Sequence, residues 1–199
     1  MATVDAEKKL QNRVLHWLVD DLGYIYLGNL EDIDNTPVKE ELLKANLKKR
    51  GYTDDQIKIA ISELVGKVNN QSDSLYQINR SVYSLLRYGR QGAKDANGHR
   101  QTVHYIDWDD IDQNDFYVAE EVSVLRFDMV TRRRPDVVIY INGIALGIFE
   151  LKSSYVSAGK GIRQLLQNQK RENIMNFFST AQFLFAGNEA EGLFYGTIN

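Results

Sequence analysis

Between Arg134 and Lys152 the chain reads RPDVVIYINGIALGIFELK. Two runs rich in β-branched residues flank Asn142-Gly143, a dipeptide that favours the left-handed backbone of a tight hairpin turn. Val137, Val138, Ile139, Ile148, Phe149 and Leu151 leave both faces of these runs apolar, as in inner strands covered on each side. Asp136, Glu150 and Lys152 interrupt them. A carboxylate removed from water costs several kcal/mol even after relaxation, comparable with the whole stability of a small domain, unless something pairs with it. The two acids must therefore neutralise each other's surroundings or hold a ligand.

The loop length decides which. A two-residue loop in an unbroken ladder sets Asp136 opposite Phe149 and turns Glu150 and Lys152 to the other face. A three-residue loop, Ile141 to Gly143 with a left-handed Gly143, sets Asp136 opposite Ile148 and gathers all three polar groups on one face. Glu150 is then the diagonal neighbour of Asp136, about 7–8 Å away at the backbone, within reach of a shared cation. The spacing predicts a bulge or a loop of odd length. The competing reading is an internal ion-pair cluster, with Asp136 and Glu150 neutralised by Lys152 and one of Arg132 to Arg134.

Upstream of the hairpin the pattern is helical. Leu10, Val14, Leu15, Trp17 and Leu18 recur at helical spacing between Asp5 and Asp21, with Gly23 as the stop. YIYLGNL at 24–30 suits an edge strand or an ordered loop. Amphipathic helices follow Pro37 up to Gly51, follow a cap at Thr53 or Asp54, and close at Gly89. Residues 90–100, RQGAKDANGHR, read as an exposed loop and the best internal boundary. Beyond it come strand-like runs, a helix over GIRQLLQNQKREN, and two more runs, FFSTAQFLFAG and GLFYGTI. The expected fold is α+β, bordering on α/β: a helical part over 1–100, then a mixed sheet flanked by helices over 101–199, in one compact domain.

Composition narrows the chemistry. Cysteine is absent, which excludes thiolate nucleophiles and thiolate metal sites and agrees with a reducing, cytoplasmic address. The three histidines, His16, His99 and His104, lack the spacing of a helical zinc pair, so a metal here would be bound by oxygen: magnesium, manganese or calcium. The net charge of −3 does not announce a nucleic-acid binder, so local clusters must carry that case. No apolar run is long enough to span a bilayer, and a soluble protein is expected.

Pro135-Asp136, then Glu150-Leu151-Lys152, resembles the PD-(D/E)xK motif of the restriction-endonuclease-like nucleases. The surrounding words TRRRPDVVIYINGIALGIFELKSS, NDFYVAEEVSV, GIRQLLQNQ and FFSTAQFLFAGNEAEGLFYGTI, with LQNRV, LGYIYLGN and VYSLLRYG upstream, resemble the N-terminal region of the restriction subunit of type I restriction-modification enzymes. The likeness runs over nearly the full chain. It implies a metal-dependent endonuclease domain that cuts double-stranded DNA without reading its sequence, beside methyltransferase and specificity subunits, and that in isolation binds DNA weakly and cleaves poorly or not at all. Asp136 and Glu150 would hold Mg2+, with Mn2+ as a substitute and the Leu151 carbonyl as a third ligand. Lys152 would stabilise charge on the phosphate or help deprotonate the attacking water. The products would carry a 5′ phosphate and a 3′ hydroxyl. In the family an ATP-driven motor follows this region; no GxxxxGK[ST] loop occurs here, so the chain reads as a fragment in which ATP has no site. Related nucleases carry QxxxY on the next helix; Gln164 matches, whereas Asn168 stands where tyrosine is usual. The alternative is a module of the same fold that docks DNA or other subunits without hydrolysis. A junction-resolving enzyme would share the chemistry.

Members of the superfamily often add an acid from an early helix. Glu7 is one candidate here, although a solvated helix-start charge explains it more simply. Glu120 or Glu121 is another, and only one of two adjacent strand residues can face the site. Arg132, Arg133 and Arg134, with Lys160 and Arg163 at the start of the next helix, could form a basic rim for phosphate. Lys48, Lys49 and Arg50 end a helix where the macrodipole favours cations, and no function is assigned to them. The tyrosines of VYSLLRYG and FYVAEE are expected in the core.

Overall fold

The computed structural model describes residues 2–198, with the side chains of 2–5 left aside. The fold is α+β, with five helices and a mixed six-stranded sheet. Helix α1 (Ala2–His16) runs into a π-helical turn, Trp17–Asp21, and Gly23, at φ +74°, releases the chain into strand β1 (Ile25–Asn29). Helices α2 (Glu40–Lys49), α3 (Asp54–Val68) and α4 (Leu75–Tyr88) follow. Thr53 and Ser74 each build a capping box, with Gln56 and Gln77, so the starts of α3 and α4 are satisfied locally.

Residues 90–100 are not simply a loop. Most of the stretch belongs to a small hairpin, β2 (Arg90–Lys94) and β3 (Arg100–Val103), tied by Asp95, which accepts from the backbone N–H groups of Asn97 and His99. The remaining strands are β4 (Phe116–Glu120), β5 (Val124–Leu125), β6 (Arg132–Arg133), β7 (Val137–Ile141), β8 (Ile144–Leu151), β9 (Phe183–Asn188) and β10 (Gly192–Gly196). Helix α5 (Ala158–Asn168) crosses between β8 and β9. The main sheet runs β1-β4-β7-β8-β9-β10, with β1–β4 and β8–β9 parallel and the other pairs antiparallel.

Strand β1 lies at the sheet edge beside β4, so the helical stretch is inserted between two neighbouring strands rather than preceding the sheet. One core accordingly joins Leu43, Leu64, Ile78 and Leu86 of the helices to Val138, Tyr140 and Ile148 of the sheet. On the opposite sheet face, Leu15 and Leu18 cover Val118, Val137, Phe149 and Leu151. Tyr117 and Tyr105 are buried as expected of core tyrosines, but Tyr83 and Tyr88 on α4 are exposed.

The hairpin carries the expected bulge, at a different place. The loop has two residues, Asn142 at φ +53° and Gly143 at φ +85°. Ile141 faces Ile144 and Tyr140 faces Ala145, whereas Ile139 faces Gly147, leaving Leu146 as the extra residue within β8. Gly147 has room for this because a Cβ there would sit 3.3 Å from that of Ile139. The turn itself is pinned: a Cβ on Gly143 would lie 2.7 Å from the Lys39 carbonyl. Val138 then faces Ile148 and Val137 faces Phe149, which continues the register to Asp136 beside Glu150, not Ile148. The parity that gathers the polar groups on one face is kept; their diagonal placement is corrected to a direct one.

Candidate functional site

At the open end of the β7–β8 hairpin lies a cleft of about 880 Å3. Asp136, Glu150, Lys152 and Gln164 all line it, so the four polar side chains singled out in the sequence converge on one space. Glu150 is 0 % exposed and Asp136 9 %. The Leu151 N–H donates to Asp136 Oδ2 at 2.6 Å, so the backbone of one strand fixes the acid of the other. Lys152 Nζ donates to Glu150 Oε1 at 2.6 Å and to the Leu151 carbonyl at 2.8 Å. Among the described residues, no hydrogen-bond partner reaches the buried Glu150 Oε2.

Burial pushes the Asp136 carboxyl well above the usual carboxylate range, against the pull of Lys152 and the Leu151 N–H. Glu150 is pushed up by burial and then by the Asp136 charge beside it, with Lys152 only partly compensating. Burial alone would lower the Lys152 ammonium, but Glu150 and Asp136 outweigh it and hold it above its ordinary value. Two acids and one base leave an excess of negative charge in a nearly dry place. This electrostatic deficit, with the orphaned Oε2, suits a divalent cation. Asp136, Glu150 and the Leu151 carbonyl are the groups able to hold it; among the described residues no third histidine or carboxylate completes a ready-made cage.

Gln164 reaches the cleft from α5, which packs closely on β8. A Cβ on Gly161 would sit 3.0 Å from the Glu150 carbonyl and 3.5 Å from Glu150 Cγ, so the glycine lets the helix backbone press on the acid. Asn168 does not line the cleft. It is buried with Oδ1 unpartnered, so it does not take the place of the usual tyrosine at this site.

The early helix contributes more than a solvated charge. Glu7 Oε1 stands 3.5 Å from Lys152 Nζ and lines the cleft, as do Lys8 and Gln11. Gln11 Nε2 donates to the Asp136 carbonyl at 3.3 Å and to Glu120 Oε2 at 2.7 Å. Lys8 and Gln11 went unnoticed in the sequence; the only signal was helical spacing, since Gln11 follows Glu7 by one turn. The choice between Glu120 and Glu121 is settled by the backbone. Glu121 takes φ +50°, which breaks the alternation and lines the cleft, while Glu120 is bound to Lys8, Gln11 and Tyr26. Burial works against ionised Glu120, but these donors hold its carboxyl below the usual range.

The basic rim is partly spent. Arg132 pairs with Asp34 at 2.8 Å, and Arg134 pairs with Glu121 at 2.7 Å and with Glu31. Among the described residues, the Arg133 side chain donates only to the amide oxygen of Asn173. Lys160 and Arg163 do not line the cleft, and the first turn of α5 already binds a carboxylate, the Ala158 N–H donating to Glu191 Oε1 at 3.0 Å. Lys48, Lys49 and Arg50 pair with Asp54, Asp115 and Asp107, in keeping with a structural role.

Residues 6–199 match the family model described as the N terminus of the type I restriction enzyme R protein. The chain belongs to that family. It is similar to a putative type I restriction enzyme MjaIXP endonuclease subunit of Methanocaldococcus jannaschii, 29 % identical over 145 residues, which is 67 % of this chain and 14 % of that protein. The chain thus spans about one seventh of the length of the relative it matches. Among the described residues no helix is long and apolar enough to cross a membrane.

Proposed function

We propose that this region of a type I restriction enzyme R protein is a metal-dependent DNA endonuclease domain that hydrolyses phosphodiester bonds at the Asp136–Glu150–Lys152 cleft. One observation carries the reading: Glu150 is wholly buried with an unpartnered carboxylate oxygen beside a second buried acid, a costly arrangement that a divalent cation would relieve. A cation held there would supply positive charge to the phosphate and acidify a water molecule.

The protein's own groups do the rest. Asp136 is held in place by the Leu151 N–H and presents its other oxygen to the cleft. Lys152, positioned by Glu150 and by Glu7 across the cleft, places an ammonium where charge builds up on a phosphate oxygen. Gln164 offers amide N–H donors to the same phosphate. Glu7, beside Lys152 at the cleft, would accept a proton from the attacking water. Mg2+ is the expected cation and Mn2+ its substitute. The partners are double-stranded DNA and, in the assembled enzyme, the methyltransferase and specificity subunits; the setting is cytoplasmic. ATP would serve the motor of the parent protein only.

Single-turnover assays with linear duplex DNA and excess protein test this. Cleavage should require Mg2+ or Mn2+, leave 5′ phosphate ends, and disappear in Asp136→Ala and Lys152→Ala. Cleavage indifferent to both substitutions would overturn the assignment. Absence of cleavage, with no metal-dependent rise in thermal stability, would leave a docking module instead.

A further inference from the structure

Beside the cleft, residues Val124–Arg134 form a projecting hairpin, β5 and β6, whose tip is apolar. Phe127, Met129 and Val130 are 64 %, 70 % and 75 % exposed. Three adjacent large apolar side chains in solvent call for a partner more than scattered ones do. The tip is also held rigidly. Asp128 Oδ1 accepts from the Val130 and Thr131 N–H groups at 2.9 and 2.8 Å, and Arg126 exchanges backbone hydrogen bonds with Met129 and Thr131. The Phe127 N–H is anchored on the Asn173 carbonyl at 3.1 Å. Met129 is held at φ +57°, so the turn keeps its shape without any apolar packing of its own.

The flanks of the tip are cationic in a protein whose net charge is negative. Arg126, Arg133 and Arg171 border it, and among the described residues none of the three forms a direct ion pair, although the Arg126 charge helps to hold the Asp128 carboxyl low. Arg126 donates to Thr131 Oγ1, Arg171 to the Gln71 and Asp73 carbonyls, and the buried Arg126 Nε has no partner. Arg133 lines the catalytic cleft as well, so the hairpin and the cleft share an edge. A rigid apolar tip framed by arginines without direct ion pairs is the pattern by which proteins press a wedge into a duplex groove while holding the flanking phosphates.

We propose that the β5–β6 hairpin is a duplex-DNA wedge: Phe127, Met129 and Val130 enter the groove next to the cleavage site, and Arg126, Arg133 and Arg171 grip the phosphates on either side. This rests on DNA being the substrate of the cleft, but it concerns binding and is tested without metal. Anisotropy of a labelled linear duplex and of the matching single strand would be measured over a range of salt concentrations. The triple variant Phe127→Ser, Met129→Ser, Val130→Ser should bind duplex roughly tenfold more weakly, with little loss on single strands and an unchanged salt slope. Arg126→Gln, Arg133→Gln and Arg171→Gln should each flatten the salt slope by about one. Melting temperatures close to wild type would show that the variants fold. Duplex affinity unaltered by the tip changes, or a salt slope unaltered by the arginine changes, overturns the proposal and points to a protein partner at this hairpin. Metal-dependent cleavage is scored separately: a protein that cuts DNA yet ignores the tip changes keeps the nuclease and loses the wedge, while one that binds through the tip and never cuts does the reverse.

Discussion

The β7–β8 hairpin buries a polar residue at each end, and the two ends differ in how that polarity is satisfied. At the turn, Asn142 is 0 % exposed, like Glu150, yet every group is paired. Its Nδ2 donates to the Tyr105 carbonyl and to Asn114 Oδ1, both at 2.8 Å; its Oδ1 accepts from the Asp115 N–H at 2.7 Å; its own N–H donates to the Asp115 carbonyl. At the open end, Glu150 shares the same burial with one oxygen unpartnered. Burial of a polar group is therefore no mark of a site by itself. What separates architecture from chemistry here is a buried charge left uncompleted beside a second acid, since a neutral oxygen such as Asn168 Oδ1 is unpartnered away from the cleft.

The sharpest way to break this contrast is to neutralise the open end. Glu150→Gln should lower DNA cleavage by at least about a hundredfold while leaving the metal-free protein as stable as before or more so, because a buried charge excess is removed. A large fall in melting temperature would mean that the acid is structural. The turn end should behave in the opposite sense. Asn142→Ala strands several buried partners in a left-handed turn and should cost about 2–4 kcal/mol by chemical denaturation, with the metal dependence of whatever folded protein remains unaltered.

A subtler change acts between the two. Gly161→Ala forces α5 to yield where it touches Glu150, and should cost about 1–2 kcal/mol and reduce cleavage by roughly tenfold through misplacement of Gln164. Wild-type activity in this variant would show that the helix shifts freely.

The smallest effect is a pH slope. Asp136 and Glu150 have folded values raised above those of the unfolded chain, so the folded state binds more protons between the two. Their contribution to stability is present in full below the ordinary carboxylate range and is lost as pH climbs through the raised values towards neutrality. Glu120 and Asp115, held low, act in the opposite sense and only in acid. Metal-free protein should thus melt a few degrees lower near pH 8 than near pH 5, and Mg2+ should recover more at the higher pH, where fewer protons must leave. A flat profile, or one unchanged by Asp136→Asn, would contradict the electrostatics described.

The contrast also marks how far the sequence could be read. The hairpin and the common face of Asp136, Glu150 and Lys152 follow from short-range periodicity, where strand alternation leaves few choices; Gln164 was marked only by the family likeness. The bulge was required by parity, but its position at Leu146 depends on how Gly143 packs against Lys39, a contact between segments a hundred residues apart. Glu7 was offered only by the family likeness, and Lys8 and Gln11 only by helical spacing from it, because their place is set by packing of α1 on the sheet. The insertion of the helices between β1 and β4 was hidden because YIYLGNL is short and half-exposed, which suits an edge strand and a loop equally.

The Leu146 bulge gives the hairpin a phase as well as a shape. Drawing that single residue into the ladder opposite Ile139, with the chain length unchanged, would slip the register by one and rotate Glu150 and Lys152 to the sheet face opposite Asp136, whereas removing it would leave Glu150 beside Asp136.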